Sequence, residues 1–390
     1  MSLATAPMVP LCEPALGGRE WEYVKECLDT RWVSSVGAYV DRFEAEFAAA
    51  VGAPYAIATV NGTAALHVAL LVAGVQPDDE VLIPALTFIA PANAIRYVGA
   101  WPVFVDVEPA FYQMDVGCVE EFLATRCIER DGGLRNRQSG RRIGGILPVH
   151  LLGHPVDLAP LRALGRRFNL PIVEDATESL GAQYRGQPLG SDSEIACFSF
   201  NGNKLITTGG GGMIVSHRPD WAAYARYLCT QAKDDPIEYI HHEVGYNYRL
   251  TNLQAALGVA QLEQLGAHLA AKRRIAALYR QGLAQVPGLT LMAEAPWARS
   301  TFWMYTVRIQ ADGFGLGSRE VLSDLANAGI QCRPLWQPLH RSPAHRSSAG
   351  ARCPVAEQVQ QEALSLPCSV GLSEPQQQRV IQQLRALARH

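Results

Sequence analysis

Val173-Glu-Asp175, then Ser199-Phe-Asn-Gly-Asn-Lys204, then Thr207-Thr-Gly-Gly-Gly-Gly212: on these three segments the reading of the fold turns. Leu170 begins a short apolar run that reads as a buried strand closing on an acid, Asp175. A second apolar run, Ala196-Cys-Phe-Ser-Phe200, reads as the next strand, and Lys204 follows it. The acid at one strand end and the amine beyond the next then converge on one crevice, at the edge where open α/β sheets bind ligands. That pairing suits pyridoxal phosphate, whose aldehyde a lysine holds as an imine and whose ring nitrogen a carboxylate keeps protonated. At an effective dielectric of about 20 such an attraction reaches at most ~4 kcal/mol at 4 Å. That is roughly three pKa units before desolvation is subtracted. The structural alternatives are a helix cap for Asp175, with a helix starting at Ala176, and a solvated surface position for Lys204. The apolar run before the lysine and the four glycines after it argue for close-packed backbone. The glycines are not a P-loop, since no Gly-Lys-Ser/Thr follows, nor a dinucleotide fingerprint, since they precede a strand at 213–215.

Outward from there, short apolar strands alternate with amphipathic helices over the first two-thirds of the chain. Strands are expected at 56–60, 80–83, 101–105, 143–149 and 171–173, and helices at 63–72, 91–98, 116–123 and 158–168. The alternation predicts an α/β fold, a mostly parallel sheet sandwiched by helices. Residues 131–142 read as an exposed loop. From Thr251 the texture changes: 254–283 has helical periodicity, followed by a strand at 302–309 and helices at 318–328 and 375–389, with loops at 290–300 and 341–352. The expected division is 1–269, a large cofactor-binding domain with an N-terminal arm, and 270–390, a smaller C-terminal α+β domain.

With 390 residues, 48% hydrophobic and 18% charged, the chain has the composition of a soluble globular protein. A formal net charge of −3 gives no electrostatic reason to expect a nucleic-acid partner. No apolar stretch is long enough for a membrane span. The start, Met1-Ser-Leu-Ala-Thr-Ala-Pro7, has neither a basic leader nor an apolar core, so no signal peptide is expected. Nine cysteines without a CxxC pair read as reduced thiols in a cytoplasm, Cys197 among them as a small buried apolar residue.

Other constellations carry weaker signals. Asn61-Gly-Thr63-Ala-Ala-Leu-His67 follows a strand and opens a helix, so Thr63 is either an N-cap or part of a phosphate site at the helix start. His150-Leu-Leu-Gly-His154 has the spacing of a zinc helix, but Gly153 and Pro155 oppose a helix and no further ligand cluster is evident; no metal site is expected. His241-His242-Glu243 reads as an exposed loop. Phe88 is placed to stack on a planar ring, or else is a core aromatic.

Gly62-Thr63, Thr87-Phe88, Glu174-Asp175-Ala176, Ser199-Phe200, Lys204, the glycines 209–212, Gly245-Tyr-Asn-Tyr-Arg249 and Leu366-Pro367 stand in the order seen in one family. From about Pro10 to the C-terminal helix the chain resembles the DegT family of fold-type I, PLP-dependent nucleotide-sugar aminotransferases. The resemblance implies that Lys204 binds the cofactor and shuttles protons, Asp175 pairs with the pyridinium, Phe88 stacks on the ring, and Gly62, Thr63 and Ser199 cradle the phosphate. Glu178 occupies a position near the cofactor's phenolic oxygen where many relatives carry Gln or His. Asn247 resembles the asparagine that reaches the phosphate of the neighbouring subunit's cofactor, which implies a homodimer with shared active sites. Glutamate is the implied donor, and the cofactor cycles through pyridoxamine phosphate. Trp32-Val-Ser-Ser-Val-Gly37, Thr177-Glu-Ser179, Asn201-Gly-Asn203 and Thr230-Gln-Ala-Lys-Asp-Asp-Pro236 are most similar to the branch that aminates C4 of UDP-linked 4-keto-6-deoxy-N-acetylglucosamine, on routes to bacillosamine and legionaminic acid. In that branch His242 and Lys233 are expected substrate contacts. The rivals are an aminotransferase acting at C3 or on a dTDP- or GDP-sugar (the perosamine type), a sugar dehydratase of the same fold, and a non-enzymatic regulatory module. Dehydratases carry histidine in place of the lysine, so Lys204 favours transamination.

Overall fold

The wall of strands that carries Asp175 and Ser199 owes its direction to continuous apolar runs, such as Val81-Leu-Ile83 and Ile195-Ala-Cys197, that can only be buried on both faces. The protein is described by a computed structural model covering residues 7–235, 237–346, 348, 350 and 352–389. Residues 1–6, on which the leader reading fell, Pro236 of the 230–236 motif, and 347, 349 and 351 of the expected loop lie outside the described residues. Among the described residues no helix is long and apolar enough to cross a membrane.

The central strands are β1 (Tyr55–Thr59), β2 (Glu80–Pro84), β3 (Trp101–Val105), β4 (Ile143–Ile146), β5 (Val173–Asp175), β6 (Ile195–Ser199) and β7 (Gly212–Ser216). They lie in the order β1-β7-β6-β5-β4-β2-β3, with β5 joined to β4 through the parallel bridges Ile146↔Ile172 and Val149↔Asp175. All run the same way except β7, which is antiparallel to β1 and β6. β5 starts later than expected and ends on the acid itself. The Asp175 N–H donates to Pro148 O at 2.9 Å and its carbonyl accepts from His150 N–H at 2.9 Å, so its backbone is pinned.

Differences from the expected elements have local causes. The supposed loop at 131–142 contains half of a hairpin, Cys127–Arg130 paired with Gly133–Asn136. Its turn is Asp131-Gly132, with φ of +54° and +75°, the pair of left-handed residues a two-residue hairpin favours. The expected helix at 254–283 is two, Asn252–Leu262 and Leu265–Leu283. The strand expected from Phe302 begins at Tyr305, since Phe302 has a φ of +51°. Within 290–300, strand residues occur at Leu289–Leu291 and Ala298–Arg299.

Toward the C-terminus, β8 (Leu289–Leu291), β9 (Tyr305–Ile309), β10 (Arg333–Pro334) and β11 (Ala363–Leu366) form an antiparallel sheet in the order β8-β9-β11-β10. The helix Leu265–Leu283 runs unbroken through residue 270, and one buried cluster extends from the helix Gly62–Val72 to Tyr305 and Leu384. The N-terminal segment binds both late regions: Val9 bridges Ile330, Leu11 O accepts the Cys368 N–H at 2.7 Å, and the Glu13 N–H donates to Ser369 Oγ at 2.9 Å.

Behind β6, buried aromatic rings fix the strand that ends in Ser199. Phe43 meets Phe200 edge-on at 5.1 Å between centroids, and Phe47 meets Phe198 at 5.2 Å. Gly258 in the helix Asn252–Leu262 lets the fully buried Phe43 ring lie against the helix backbone, because a Cβ there would come within 2.7 Å of Cζ. Gly258→Val should therefore cost about 1–3 kcal/mol of stability, read as a lower urea midpoint at unchanged slope.

Candidate active site

Lys204 sits in the turn between β6 and β7. Its N–H donates to Asn201 O at 2.9 Å, while Phe200 bonds across the turn to Gly211 O and Thr208 N–H, at 2.8 and 2.9 Å. The turn aims the side chain into a cavity of about 340 Å³ whose wall includes Asn61, Gly62, Thr63, Thr87, Phe88, Asp175, Thr177, Glu178, Ser199, Asn203, Trp303 and Trp336. Lys204 Nζ lies 3.8 Å from Glu178 Oε1 and 3.9 Å from the centre of the Trp303 ring. The Trp303 indole is itself fixed, its Nε1–H donating to Asn203 O at 2.7 Å.

Of the three charged groups of this wall Asp175 and Glu178 are buried and Lys204 is half-buried, and loss of solvent dominates each. It pulls the Lys204 amine below its ordinary value, against the nearby Glu178 and Asp175 carboxylates. It pushes Asp175 up, against hydrogen bonds from Thr177 and the Lys204 charge. It pushes Glu178 up to about 7, against the Lys204 charge and a backbone hydrogen bond from Leu152. That hydrogen bond is 2.7 Å from Leu152 N to Glu178 Oε2, made possible by the left-handed Leu152 at φ +58°. Asp175 Oδ1 accepts the Thr177 N–H at 3.0 Å. This is a turn, not a helix cap: no helix starts at Ala176.

At the other end of the cavity the helix Gly62–Val72 begins. Its cap is Asn61, whose Oδ1 accepts the Ala64 N–H at 2.8 Å, and not Thr63. The N–H groups of Gly62 and Thr63 are left without intrahelical acceptors at the positive end of the helix. A Cβ on Gly62 would stand 2.9 Å from Ser199 Cβ, so the helix start and the end of β6 meet at a spacing only glycine allows. A polar cradle for an anion, a buried carboxylate and a half-buried amine on one cavity are the donor set pyridoxal phosphate requires, and the residues fit it.

Phe88 stands on the cavity rim, 49% exposed and 6.0 Å from the Trp336 ring, so it is not a core aromatic. Asn247, His242 and Lys233 are exposed and lie outside this wall. Asn247 bridges to Thr230 through its backbone. His242 Nδ1 pairs with Asp234 Oδ2 at 2.9 Å, and Lys233 Nζ lies 4.7 Å from the Tyr239 ring centre. The rings of His150 and His154 turn to different partners. Val156 N–H donates to His150 Nδ1 and Ala295 N–H to His154 Nε2, leaving the opposite nitrogens to Glu174 Oε2 and Pro155 O. Cys197 is buried in β6. Trp303 and Trp336 were missed in the sequence; they are distant from the lysine along the chain, and only the rarity of tryptophan could have singled them out.

An open, mostly parallel sheet with this amine, acid and helix start on one crevice defines a fold-type I, PLP-dependent enzyme. The sequence profile of the DegT/DnrJ/EryC1/StrS aminotransferase family matches residues 14–385, and the chain belongs to that family. It is a PLP-dependent sugar aminotransferase. It is 42% identical to a GDP-perosamine synthase of Caulobacter vibrioides over 380 residues, covering 97% of this chain and 98% of the relative. It is 37% identical to a GDP-perosamine synthase of Escherichia coli O157:H7, with 94% and 95% covered. The crystal structure of DesV from S. venezuelae, in complex with a ketimine intermediate, superposes with a TM-score of 0.85 at 34% identity, covering 95% of both chains.

The Glu178 carboxyl gives a test independent of turnover. Its folded pKa of about 7 lies above the ordinary 4.5, so the fold favours the protonated acid. Its contribution is complete below pH ~4.5 and is lost as pH rises through ~7. Relative to Glu178→Gln, the cofactor-free wild type should lose up to about 3 kcal/mol between pH 4.5 and 8, measured by urea denaturation. Parallel stability profiles for the two proteins would contradict this.

Proposed function

We propose that the enzyme moves an amino group from glutamate to C4 of a GDP-linked 4-keto-6-deoxy sugar, forming GDP-perosamine, with Lys204 as the proton-transferring amine. The observation that carries the catalytic reading is that Lys204 and Asp175 line one cavity with the start of the helix Gly62–Val72. For the nucleotide, two relatives at 42% and 37% identity over nearly their whole lengths are named GDP-perosamine synthase, which favours GDP over the UDP-N-acetyl sugar suggested by the motifs. Amination at C4 is common to both readings.

Pyridoxal phosphate, when bound, supplies the electron sink and carries the amino group between donor and acceptor. Asp175 would hold the ring nitrogen's proton, Gly62, Thr63 and Ser199 the phosphate, Phe88 the ring face, and Glu178 the phenolic edge. Lys204 Nζ takes a proton from the donor's α-carbon in the first half-reaction and delivers one to the sugar's C4 in the second. Both roles need the amine to be neutral part of the time, which its burial favours. Trp303, over Nζ, keeps water from one side of that amine. In this reading His242 and Lys233 approach the nucleotide sugar from their loop, and Asn247 serves the cofactor of a neighbouring subunit in a homodimer. The 270–390 segment acts as the smaller domain that brings Trp303 to the site.

Lys204→Ala should lose the borohydride-reducible bond to the cofactor, and turnover should fall at least ~10³-fold. A variant that transaminates normally would remove Lys204 from the mechanism. Purified enzyme given glutamate and a panel of GDP-, UDP- and dTDP-linked 4-keto-6-deoxy sugars should show the highest kcat/KM with the GDP-mannose-derived ketone, the product identified by NMR. Preference for the UDP-N-acetylglucosamine-derived ketone would restore the reading from the motifs. Mixing inactive Lys204→Ala with inactive Asn247→Ala should regenerate activity in heterodimers, and heterodimers without activity would place Asn247 outside the shared site.

A further inference from the structure

Lys272, in the helix Leu265–Leu283, is 2% exposed, yet no carboxylate among the described residues pairs with it. Its Nζ donates to the carbonyls of Trp303 at 2.8 Å and Cys368 at 2.5 Å. Its remaining neighbours are two sulfurs, Cys368 Sγ at 3.7 Å and Cys12 Sγ at 3.9 Å. A buried ammonium without a counter-charge is costly, and a thiolate is the anion these neighbours can supply. We propose that Cys12 and Cys368 form a redox-active dithiol that hydrogen peroxide oxidises to a disulfide, with Lys272 holding the Cys368 thiolate. This site is separate from the transamination chemistry and does not depend on it.

Both sulfurs face the same amine, and their surroundings set them apart. The neighbouring Cys12, with the charge of Lys272, draws Cys368 down to about 6 against its burial, while Cys12 is driven far up. The other seven cysteines all have thiols pushed upward, with burial the leading cause in each. Cys12 is half-buried and Cys368 buried, so a small oxidant enters past Cys12. The Cys368 thiolate attacks one peroxide oxygen; the O–O bond breaks, hydroxide leaves and is protonated to water, and Cys368 becomes a sulfenic acid. The Cys12 sulfur then attacks the Cys368 sulfur, its proton leaving with the hydroxyl as a second water as the S–S bond closes. Two thiols thus lose two electrons and two protons, and the peroxide is reduced to two waters.

The pair lies directly behind the catalytic turn. Cys12 Sγ donates to Asn203 O at 3.4 Å, the same carbonyl that accepts Trp303 Nε1–H one residue before Lys204. Oxidation therefore removes one of the two donors to that carbonyl and the anion beside Lys272.

The test is hydrogen peroxide titration of the full-length protein, followed by alkylation and peptide mapping without reductant. The first disulfide should join Cys12 to Cys368, with the other seven cysteines still alkylated and dithiothreitol restoring both thiols. Cys12→Ser should form no such disulfide and should instead accumulate dimedone-reactive Cys368. Lys272→Met, where it folds, should slow oxidation of Cys368 roughly tenfold at pH 7. A different cysteine reacting first, or a Cys12→Ser protein whose Cys368 takes no dimedone while other cysteines oxidise, would overturn the assignment.

Discussion

One constraint governs the molecule: a primary amine and two carboxylates share a wall of a cavity too dry to solvate any of them well. Lys204, Asp175 and Glu178 each pay desolvation; the amine and the two carboxylates partly compensate one another, backbone N–H groups hold the acids, and the charge of Asp175 adds to the upward push on Glu178. The mutual field is intermediate in strength. At 3.8 Å the amine and the Glu178 carboxylate attract without forming a tight pair, which leaves the amine available to a carbonyl carbon. Pinned strand ends, the glycine at the helix start and the Leu152 backbone all hold these groups close without letting them collapse onto one another.

The surroundings show how that arrangement is fixed from both sides. From below, the Phe43, Phe47, Phe198 and Phe200 rings anchor β6 and the start of the lysine turn. From above, Trp303 belongs to the segment leading into the C-terminal sheet, yet its ring covers Nζ and its N–H holds the Asn203 carbonyl. The site is a joint between two sheets, and its electrostatics belong to neither alone.

Much of the sheet was legible because buried parallel strands write themselves as unbroken apolar runs, and 80–83, 101–105 and 196–200 are such runs. Asp175 and Lys204 were placed on one crevice for a related reason, since Asp175 closes the apolar run 170–173 and Lys204 follows 196–200. The hairpin at 127–136 was not, because its exposed strands carry no apolar signal and its Asp131-Gly132 turn was absorbed into a polar stretch. The sequence left Thr63 open between a helix cap and a phosphate site; Asn61 and Thr63 can both cap, and only backbone geometry assigns the cap to Asn61. Trp303 and Trp336 could not be joined to the lysine without the fold. Asn247, His242 and Lys233 stand outside the wall of this chain's own cavity. The family and the reaction were legible from motif order. The nucleotide was not, because the motif resemblance favours UDP while the relatives at 42% and 37% identity carry a GDP name.

The anchoring of Val9, Leu11 and Glu13 to residues 330, 368 and 369 bears on biosynthesis. Residues 9–13 find their partners only at 330, 368 and 369, so this segment has no native place until that late part of the chain has been made. The parallel strands can assemble well before that moment. Closure of these two segments behind the lysine turn is thus a late event, and a nascent chain or one truncated before residue 330 would carry residues 9–13 unmatched, an apolar stretch for chaperones to shield.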